Sequence, residues 1–325
     1  MSMPRHHQAD KILARLEKER ISALYHFTSV ENLPGVSQHQ GLCSKCFLES
    51  KNAWPVPQPG GNQQSHELDQ IKGNWDLISL TYTPHTPMAY RKKSLCHLCF
   101  LEISIDVALR EGVVFTDSNA AGYSAQKRGE GTAGLDLVNF SMVKSSPLPW
   151  NQDWVHLSQA EVLVPSYIGL DSIRRVAFVS NVSRREGLRL WGNNSHPEFV
   201  VDRVPFANYP NSPDSIDFSH VSEVYLLDSE VTKETAQQVP PVRNRFKKRP
   251  KGVITALIEA RALEGTKGRV KWNPVDVEDE TDFGGSNNWL WWPSISMSKL
   301  PVGHCSIEIW LNDVKWSVTP FEMVA

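Results

Sequence analysis

Residues 24–28, Leu-Tyr-His-Phe-Thr, are the first of three short segments that decide the fold of this chain. The second is Thr-Pro-Met-Ala-Tyr at 86–90, and the third is Ser-Gln-Ala-Glu-Val-Leu-Val at 158–164. The first and third have the aromatic and β-branched residues that are typical of strands. None of the three is diagnostic alone. They become informative together, in this order along the chain and with Val-Phe-Thr-Asp at 114–117 between the second and third.

Composition narrows the class of protein without identifying it. The 325 residues leave room for one large domain or two ordinary ones, and 40% of them are hydrophobic, which is enough for a sizeable core. A net charge of −2 gives no overall field for nucleic acid, so such a substrate requires a local basic surface. No run of 18 apolar residues and no apolar N-terminal region occurs, and the five cysteines are an odd number. We therefore expect a cytoplasmic protein that has no contact with a membrane.

Short strands with irregularly inserted helices indicate an α+β fold rather than a doubly wound sheet. A helix is expected over 30–38, and residues 128–134, Arg-Gly-Glu-Gly-Thr-Ala-Gly, are expected to form a flexible link. Apolar alternation predicts the following strands: 24–28, 77–82, 99–107, 112–116, 161–165, 173–180 and 221–227.

The last third of the chain differs in composition. We expect a main domain over 1–235, a basic linker over 236–252 and a small accessory subdomain over 253–325. Six of the eleven tryptophans lie after residue 268, so the subdomain is rich in tryptophan. Residues 253–263 are expected to be a helix, and the alternation of 306–318 around Asn-Asp predicts a β-hairpin.

The ordered segments at 24–28, 86–90, 114–117 and 158–164 resemble the DarT family of ADP-ribosyltransferase toxins. The resemblance implies an ADP-ribosyltransferase-like split β-sheet core with inserted helices. It also implies an enzyme that cleaves NAD and transfers ADP-ribose to a nucleobase of single-stranded DNA or RNA. A toxin–antitoxin or phage-defence role, with a cognate antitoxin as partner, follows from the same resemblance. It covers roughly residues 20–180 and weakens towards 225.

In the resembling family, the His-Phe-Thr segment contacts NAD, which assigns His26, Phe27 and Thr28 to cofactor binding. Asn32 continues the family pattern and is assigned with them. The imidazole of His26 can hydrogen-bond a ribose hydroxyl. The alternative is a half-buried histidine that is satisfied within its strand.

Glu161 is the candidate catalytic carboxylate. Breaking NAD develops positive charge on the ribose, and a fixed carboxylate stabilises that charge and can accept a proton from the incoming base. The Gln-Ala-Glu segment matches the family, whereas an edge-strand surface glutamate is the alternative.

Residues 51–66, rich in Pro, Gly and Asn, are expected to form a long loop. The family also places NAD-binding groups near 86–90 and after this loop. This assigns Met88 and Tyr90 to the nicotinamide side of the pocket, with a turn and a core aromatic as the alternative. The family arginine has no counterpart, because residues 62–79 contain no arginine. Lys72 is the candidate to replace it as a catalytic cation that holds the diphosphate, although lysine lacks the planar fork of arginine. The alternatives are that another cation replaces it or that the site differs in substrate.

Two groups of residues are candidates for nucleic-acid contact. The loop before Glu161 carries Trp150, Trp154 and His156, whose rings could stack a base or could simply pack in the core. The basic stretch after residue 242 includes Arg243, Lys247 and Lys248, which could follow a phosphate backbone or belong to a solvated linker.

Two Cys-x-x-Cys pairs, Cys43 with Cys46 and Cys96 with Cys99, have the spacing of zinc ligands within each pair. A structural zinc site would bring both loops together, and reduced unpaired thiols are the alternative.

Two further functions remain open at this point. A catalytically degenerate transferase fold could serve as a zinc-stabilised nucleic-acid- or protein-binding module, and the absent arginine favours it. A transferase that modifies protein differs from the first hypothesis only in its acceptor.

Overall fold

The structure of the protein is a computed structural model, and the chain divides into two compact units. The first unit comprises Met1–Phe178 and Gly187–Ile216, and the second comprises Val179–Glu186 and Asp217–Ala325. The structure describes residues 4–122, 126–146, 148, 150–208, 216–232, 243–285 and 287–325. None of the helices in those ranges is long and apolar enough to span a membrane.

The first unit is a mixed α/β fold. Its strands, in the described residues, are β1 (Ala23–Ser29), β2 (Gly41–Cys43), β3 (Leu77–Thr81), β4 (Leu98–Ser104), β5 (Val114–Thr116), β6 (Arg128–Glu130), β7 (Glu161–Pro165), β8 (Tyr167–Gly169), β9 (Ile173–Phe178) and β10 (Glu198–Val201). The helices are α1 (Ala9–Lys18), α2 (Leu33–Gln38), α3 (Lys45–Ser50), α4 (Gln63–Ile71), α5 (Pro87–Lys92), α6 (Gly131–Leu135), α7 (Phe140–Val143), α8 (Gln152–Leu157) and α9 (Asn181–Trp191). Residues of α9 up to Glu186 are counted with the second unit.

Eight strands form the main sheet of the first unit, in the order β10-β9-β4-β1-β3-β7-β5-β6. β9 and β10 are parallel, and the other neighbours are antiparallel. β1 and β3 are joined through one register pair, Tyr25 with Thr81, whereas β1 and β4 pair along seven positions. The two halves of the sheet are therefore joined at Tyr25 in this register and diverge beside it.

Sequence periodicity explains how these elements pack. In β7, Val162, Leu163 and Val164 are all buried, because both faces of this central strand are covered. In α1, the apolar stripe of Ile12 and Leu16 faces the core. Ile12, Leu16, Val162 and Val164 belong to one buried hydrophobic cluster in the first unit.

Each predicted strand of the first unit is present, but the one expected over 99–107 ends at Ser104, where a 3₁₀ helix over Ile105–Leu109 begins. The strands expected over 112–116 and 173–180 are also shorter, and the helix over 30–38 appears as a 3₁₀ turn followed by α2. The flexible link expected over 128–134 is wrong. Residues 128–130 form β6 against β5, and α6 follows directly. Gly131 makes this sharp turn possible, since its φ is +62° and a Cβ there would lie 2.3 Å from Oε1 of Gln8.

The second unit contains a four-stranded and a five-stranded sheet. Its strands, in the described residues, are β11 (His220–Leu227), β12 (Arg245–Lys247), β13 (Val253–Ala262), β14 (Lys267–Asn273), β15 (Val277–Asp282), β16 (Asn287–Trp291), β17 (Ser294–Ser296), β18 (Gly303–Leu311) and β19 (Val314–Val324). The division from the first unit falls before the expected boundary at 235, because β11 pairs with β13.

Two expectations for this unit are corrected. Residues 253–263 do not form a helix, since β13 pairs with β11, β16 and β17. A continuous apolar run is compatible with either a buried helix or a strand covered on both faces, and here the pairing decides. In the expected linker, residues 236–242 lie outside the described residues, while Arg245–Lys247 form β12 beside β19.

The predicted hairpin is confirmed by the pairing of β18 with β19, where Leu311 lies opposite Val314. The tryptophans of the unit have different environments. Trp272 and Trp316 are buried, and Trp272 makes an edge contact with Phe321.

Candidate active site

A cavity of about 240 Å³ opens where the two halves of the main sheet separate. β1 contributes His26 and Phe27 to its lining, β3 contributes Ser79, and β7 contributes Glu161. Met88 also lies in the lining, so all three segments that decide the fold, far apart in the chain, contribute to one site.

His26 is held at the cavity wall by the neighbouring strand. Its Nδ1 lies 3.1 Å from the carbonyl oxygen of Ser79. Because a carbonyl only accepts, Nδ1 carries the proton and Nε2 is left as the acceptor nitrogen. Burial lowers the pKa of His26, and the charge of Lys45 acts in the same direction. At neutral pH the ring is thus a neutral hydrogen-bond acceptor for a hydroxyl.

Glu161 presents a buried carboxyl to the same cavity. The residue is 8% exposed, and its Oε2 accepts a 2.8 Å hydrogen bond from the N–H of Ala120. Burial raises the pKa of Glu161 to about 8, and the charge of Asp69 adds to the increase. The Ala120 hydrogen bond and the charge of Lys45 oppose it. A carboxyl with such a pKa can exchange a proton near neutral pH, which suits a general base.

Lys45 is the cation that the structure places in the cavity lining. Its ammonium forms an ion pair with Asp69, which also lines the cavity, and lies 5.2 Å from the ring centroid of Trp75. Lys72, the expected replacement for the family arginine, is not among the lining residues. Its ammonium instead donates to the carbonyl of Gly122. The prediction for Lys72 is therefore not supported, and Lys45 stands in the position to meet an anionic group.

Asn32 lines the cavity, but its amide is engaged by protein atoms. Nδ2 donates to the carbonyl of Gln58 at 2.7 Å and to Oγ1 of Thr28 at 3.0 Å, while Oδ1 accepts the N–H of Gln58 at 2.9 Å. The side chain thus fastens the segment around Gln58, which also brings Trp54 and Val56 to the cavity. A direct bond from Asn32 to NAD would have to displace one of these contacts.

The remaining cofactor candidates divide into two groups. Phe27, Thr28 and Met88 line the cavity. Tyr90 does not, and 51% of it is exposed on α5. The helical turn from Met88 to Tyr90 points the two side chains in different directions, so the predicted stacking of Tyr90 on nicotinamide is not supported.

The aromatic candidates before Glu161 also differ. Trp150 is 76% exposed, whereas Trp154 is 5% exposed in α8 and His156 is half-buried. Residues 147 and 149 of this loop lie outside the described residues. A base can stack on Trp150 directly, but Trp154 is packed, as the alternative interpretation stated.

The basic candidates belong to the second unit. Arg243 lies 3.4 Å from a carboxylate oxygen of Asp228, and Lys248 donates to the carbonyl of Leu300 at 2.6 Å. Lys247 is exposed on β12. Two of the three cations therefore make contacts within the protein, which reduces the charge that this stretch offers to a phosphate backbone.

The four cysteines do not form the predicted zinc site. In the described residues, which include all four, no group of three or more His, Cys, Asp or Glu side chains is arranged to hold a metal ion. Cys43 ends β2, Cys46 is exposed in α3, and Cys99 is buried in β4. Burial raises the pKa of the Cys43 and Cys96 thiols to about 11, which favours reduced, protonated thiols.

Sequence reasoning did not identify Lys45, Asp69 or Ala120. Lys45 and Asp69 belong to different helices, and Ala120 acts through its backbone, so no spacing pattern could group them with Glu161. The sequence did contain one signal for Lys45. Ser44 is a typical helix N-cap, and its side chain caps α3, so the following lysine is the first residue of that helix.

Comparisons with solved structures give several similar chains. The DarT of Thermus sp. 2.9 in complex with ADP-ribosylated ssDNA has 16% identity and a TM-score of 0.46, and the match covers 56% of this chain and 94% of that one. The same protein in complex with NAD+ has 17% identity and a TM-score of 0.44, covering 56% and 95%. Thermosipho africanus DarTG in complex with ADP-ribose has 18% identity and a TM-score of 0.47, covering 57% and 51%. No curated protein matches.

The assignment of this chain to a family rests on the comparison with family models. The model of DarT, described as ssDNA thymidine ADP-ribosyltransferase, matches residues 25–209, which is more than half of the chain. The matched range includes His26, Lys45 and Glu161. The enzymes of this family are NAD-dependent ADP-ribosyltransferases, and this chain belongs to the DarT family.

Proposed function

We propose that this chain transfers ADP-ribose from NAD to thymidine in single-stranded DNA, and that it is the toxin of a toxin–antitoxin or phage-defence pair. The observation that supports this most is the meeting of His26, Lys45 and Glu161 at one cavity. A neutral acceptor, a cation and a carboxyl with a raised pKa are the groups that the reaction requires.

The reaction breaks the bond between nicotinamide and C1 of its ribose, and nicotinamide leaves with the bonding electrons. A ring nitrogen of the acceptor base forms the new bond to that carbon and loses its proton. In thymidine, N3 is the ring nitrogen that carries a proton. The carboxylate of Glu161 receives this proton, so the charges balance without a further reactant.

Each residue has a separate part in this proposal. Nε2 of His26 accepts a ribose hydroxyl, because Nδ1 is committed to Ser79. The ammonium of Lys45 attracts the diphosphate, and its pairing with Asp69 holds it in position. Glu161 faces the carbon that becomes positive in the transition state, where a fixed negative charge gains most.

Electrostatics favours the order NAD first, acceptor second. The buried carboxyl of Glu161 is mostly protonated below pH 8. The positive nicotinamide ring, once bound nearby, lowers the pKa of that carboxyl and so generates the carboxylate in the complex. NAD thereby prepares the group that activates the incoming base.

The exposed ring of Trp150 is the group that we assign to the acceptor strand. A base can stack on it without rearrangement of the core, and stacking is tolerant of sequence. Selection of thymidine then depends on the position of its N3 relative to Glu161.

The direct test uses purified protein and labelled NAD with four acceptor pools: single-stranded DNA, the same DNA without thymidine, single-stranded RNA and protein. We expect label only in thymidine-containing DNA, and about 10²–10³-fold slower labelling with Glu161→Gln. Label in RNA or protein instead would show that the acceptor is that class of molecule and not single-stranded DNA. No label in any pool, with no NAD binding by calorimetry, would favour the degenerate binding module.

The biological role is tested separately in a bacterial host. Induced expression of the wild type should stop growth, whereas Glu161→Gln at equal protein level should not. Rescue by a co-expressed neighbouring gene product would identify the antitoxin. Growth that is unaffected by an enzyme active in vitro would contradict the toxin role.

A further inference from the structure

Asn74 is a buried amide that lies behind the cavity rather than in it. It is 3% exposed, follows α4, and is not among the residues that line the cavity. Its Nδ2 donates to the carbonyl of Ala120 at 3.2 Å and to Oδ1 of Asp69 at 3.4 Å. Its Oδ1 accepts a 3.1 Å hydrogen bond from the guanidinium of Arg128. The amide therefore uses both its donor and its acceptor.

The contact with Ala120 leads to the catalytic carboxyl. Ala120 is 1% exposed, and while its carbonyl is held by Asn74, its N–H donates to Oε2 of Glu161 at 2.8 Å. Residue 120 is thus fixed from both sides. If the carbonyl were released, the N–H could turn away from Glu161.

The contact with Asp69 leads to the cation. Oδ1 of Asp69 accepts from Asn74, and Oδ2 pairs with the ammonium of Lys45. One buried amide consequently touches the supports of both charged groups of the cavity, the carboxyl of Glu161 and the ammonium of Lys45.

Lys72 and Arg128 complete the same arrangement. The ammonium of Lys72 holds the carbonyl of Gly122, and the carbonyl of Lys72 accepts a 3.0 Å bond from Arg128. Arg128 also holds Asn74, so the segment around residues 120–122 is tied to the turn after α4 at several points.

We propose that Asn74 is a positioning residue of this enzyme, which sets the relative placement of Glu161 and Lys45 through Ala120 and Asp69. This inference rests on the proposed function, since it concerns the geometry of that reaction. Asn74 touches neither substrate, and its effect passes through the two groups that do.

The backbone of the turn does not depend on this side chain. The N–H of Asn74 donates to the carbonyl of Asp69 at 2.7 Å, and the N–H of Leu77 donates to the carbonyl of Asn74 at 3.0 Å. Any residue except proline could make these two bonds. The side-chain amide is needed because its NH2 donates to Ala120 and Asp69 while its oxygen accepts from Arg128. An isosteric aspartate has no N–H donor and cannot make the first two bonds.

The test compares wild type with Asn74→Asp in the labelled transfer to single-stranded DNA, with kcat, KM for NAD and the pH profile as readouts. We expect kcat to fall about tenfold or more, because small displacements of reacting groups reduce rates strongly. We also expect the pH of half-maximal kcat/KM to rise, since Glu161 loses the Ala120 hydrogen bond and faces a new negative charge.

Two further variants make the test decisive. Arg128→Gln removes the guanidinium that holds Oδ1 of Asn74 from an exposed position, and should change kcat and the pH midpoint in the same direction but less. Asn194→Asp is the matched control, because its Nδ2 donates to Oγ of Ser37 outside the cavity lining. It should behave as wild type.

An active wild type, together with a folded Asn74→Asp and an Arg128→Gln that both keep the wild-type kcat and pH midpoint, would overturn the inference and leave the proposed function standing. A loss of kcat without any change of pH midpoint would also overturn it, since general loosening of the structure would explain that result. If Asn74→Asp does not fold, Arg128→Gln decides alone. A wild-type protein that labels no acceptor would contradict the proposed function, and the inference about Asn74 would fail with it.

Discussion

The N–H of Ala120 donates a 2.8 Å hydrogen bond to Oε2 of Glu161, whose side chain is otherwise withdrawn from water. One backbone donor stabilises the carboxylate less than full hydration does, so burial dominates and the pKa rises to about 8. The site therefore holds a carboxyl that is poised between its two protonation states.

Glu161→Gln should abolish most of the transferase activity while the fold persists. The amide retains the size of the side chain but offers no negative charge to the transition state, and we expect kcat to fall by about 10²–10³-fold. Label transfer to single-stranded DNA measures this. Glu17→Gln, at an exposed position of α1, is the control, and wild-type activity in Glu161→Gln would exclude a catalytic role.

The pH dependence of kcat/KM should report the carboxyl of Glu161. The carboxylate is the active form, so activity should increase with pH and reach half of its maximum near pH 8. A profile already flat from pH 5 upward would show that Glu161 is ionised in the free enzyme. Measurements at saturating NAD should show a lower midpoint, because the cationic ring stabilises the carboxylate.

Stability should change with pH for the same reason, but in the opposite direction to activity. Between the ordinary value of 4.5 and about 8, the folded protein binds a proton at Glu161 that the unfolded chain releases. The free energy of unfolding should therefore fall as pH rises through this window, by up to about 1.4 kcal/mol per pH unit from this group.

Glu161→Gln lacks this titration, and its stability relative to wild type should increase from pH 5 to pH 8.5. Urea denaturation at both pH values measures the difference. An equal difference at both values would contradict the raised pKa.

Lys45→Met should weaken NAD binding. Methionine has an unbranched apolar side chain without the charge of Lys45. The loss of one charge-assisted contact should raise KM for NAD about tenfold. Lys51→Met, at an exposed position just after α3, is the matched control. If Lys51→Met rather than Lys45→Met raised KM, the assignment of the cation would be wrong.

Asn32→Ala should release the segment around Gln58. Loss of the amide leaves the N–H and carbonyl of Gln58 without these bonds, which should cost about 1–3 kcal/mol. Faster proteolytic cleavage within residues 51–62 and a higher KM for NAD are the expected results. Unchanged cleavage would show that Asn32 does not hold this segment.

Much of the first unit could be predicted from local sequence. The Leu-Tyr-His-Phe-Thr and Glu-Val-Leu-Val segments carry their strand signal within a few residues, and the structure makes them β1 and β7. His26 and Glu161 could be identified as candidate site residues because the same two segments match the family pattern. Residues 253–263 show the limit of this reasoning, because their apolar run became a strand only through pairing with distant strands.

The sequence by itself determined the family, the mixed fold and the choice of His26 and Glu161 as candidate site residues, since each depends on short patterns along the chain. The tertiary structure alone decided that Lys45 rather than Lys72 lines the cavity, that Asn32 binds Gln58, and that Trp154 is packed away. These outcomes depend on which side chains meet across more than twenty residues of intervening chain. Such meetings follow from strand order and packing, which no local pattern encodes.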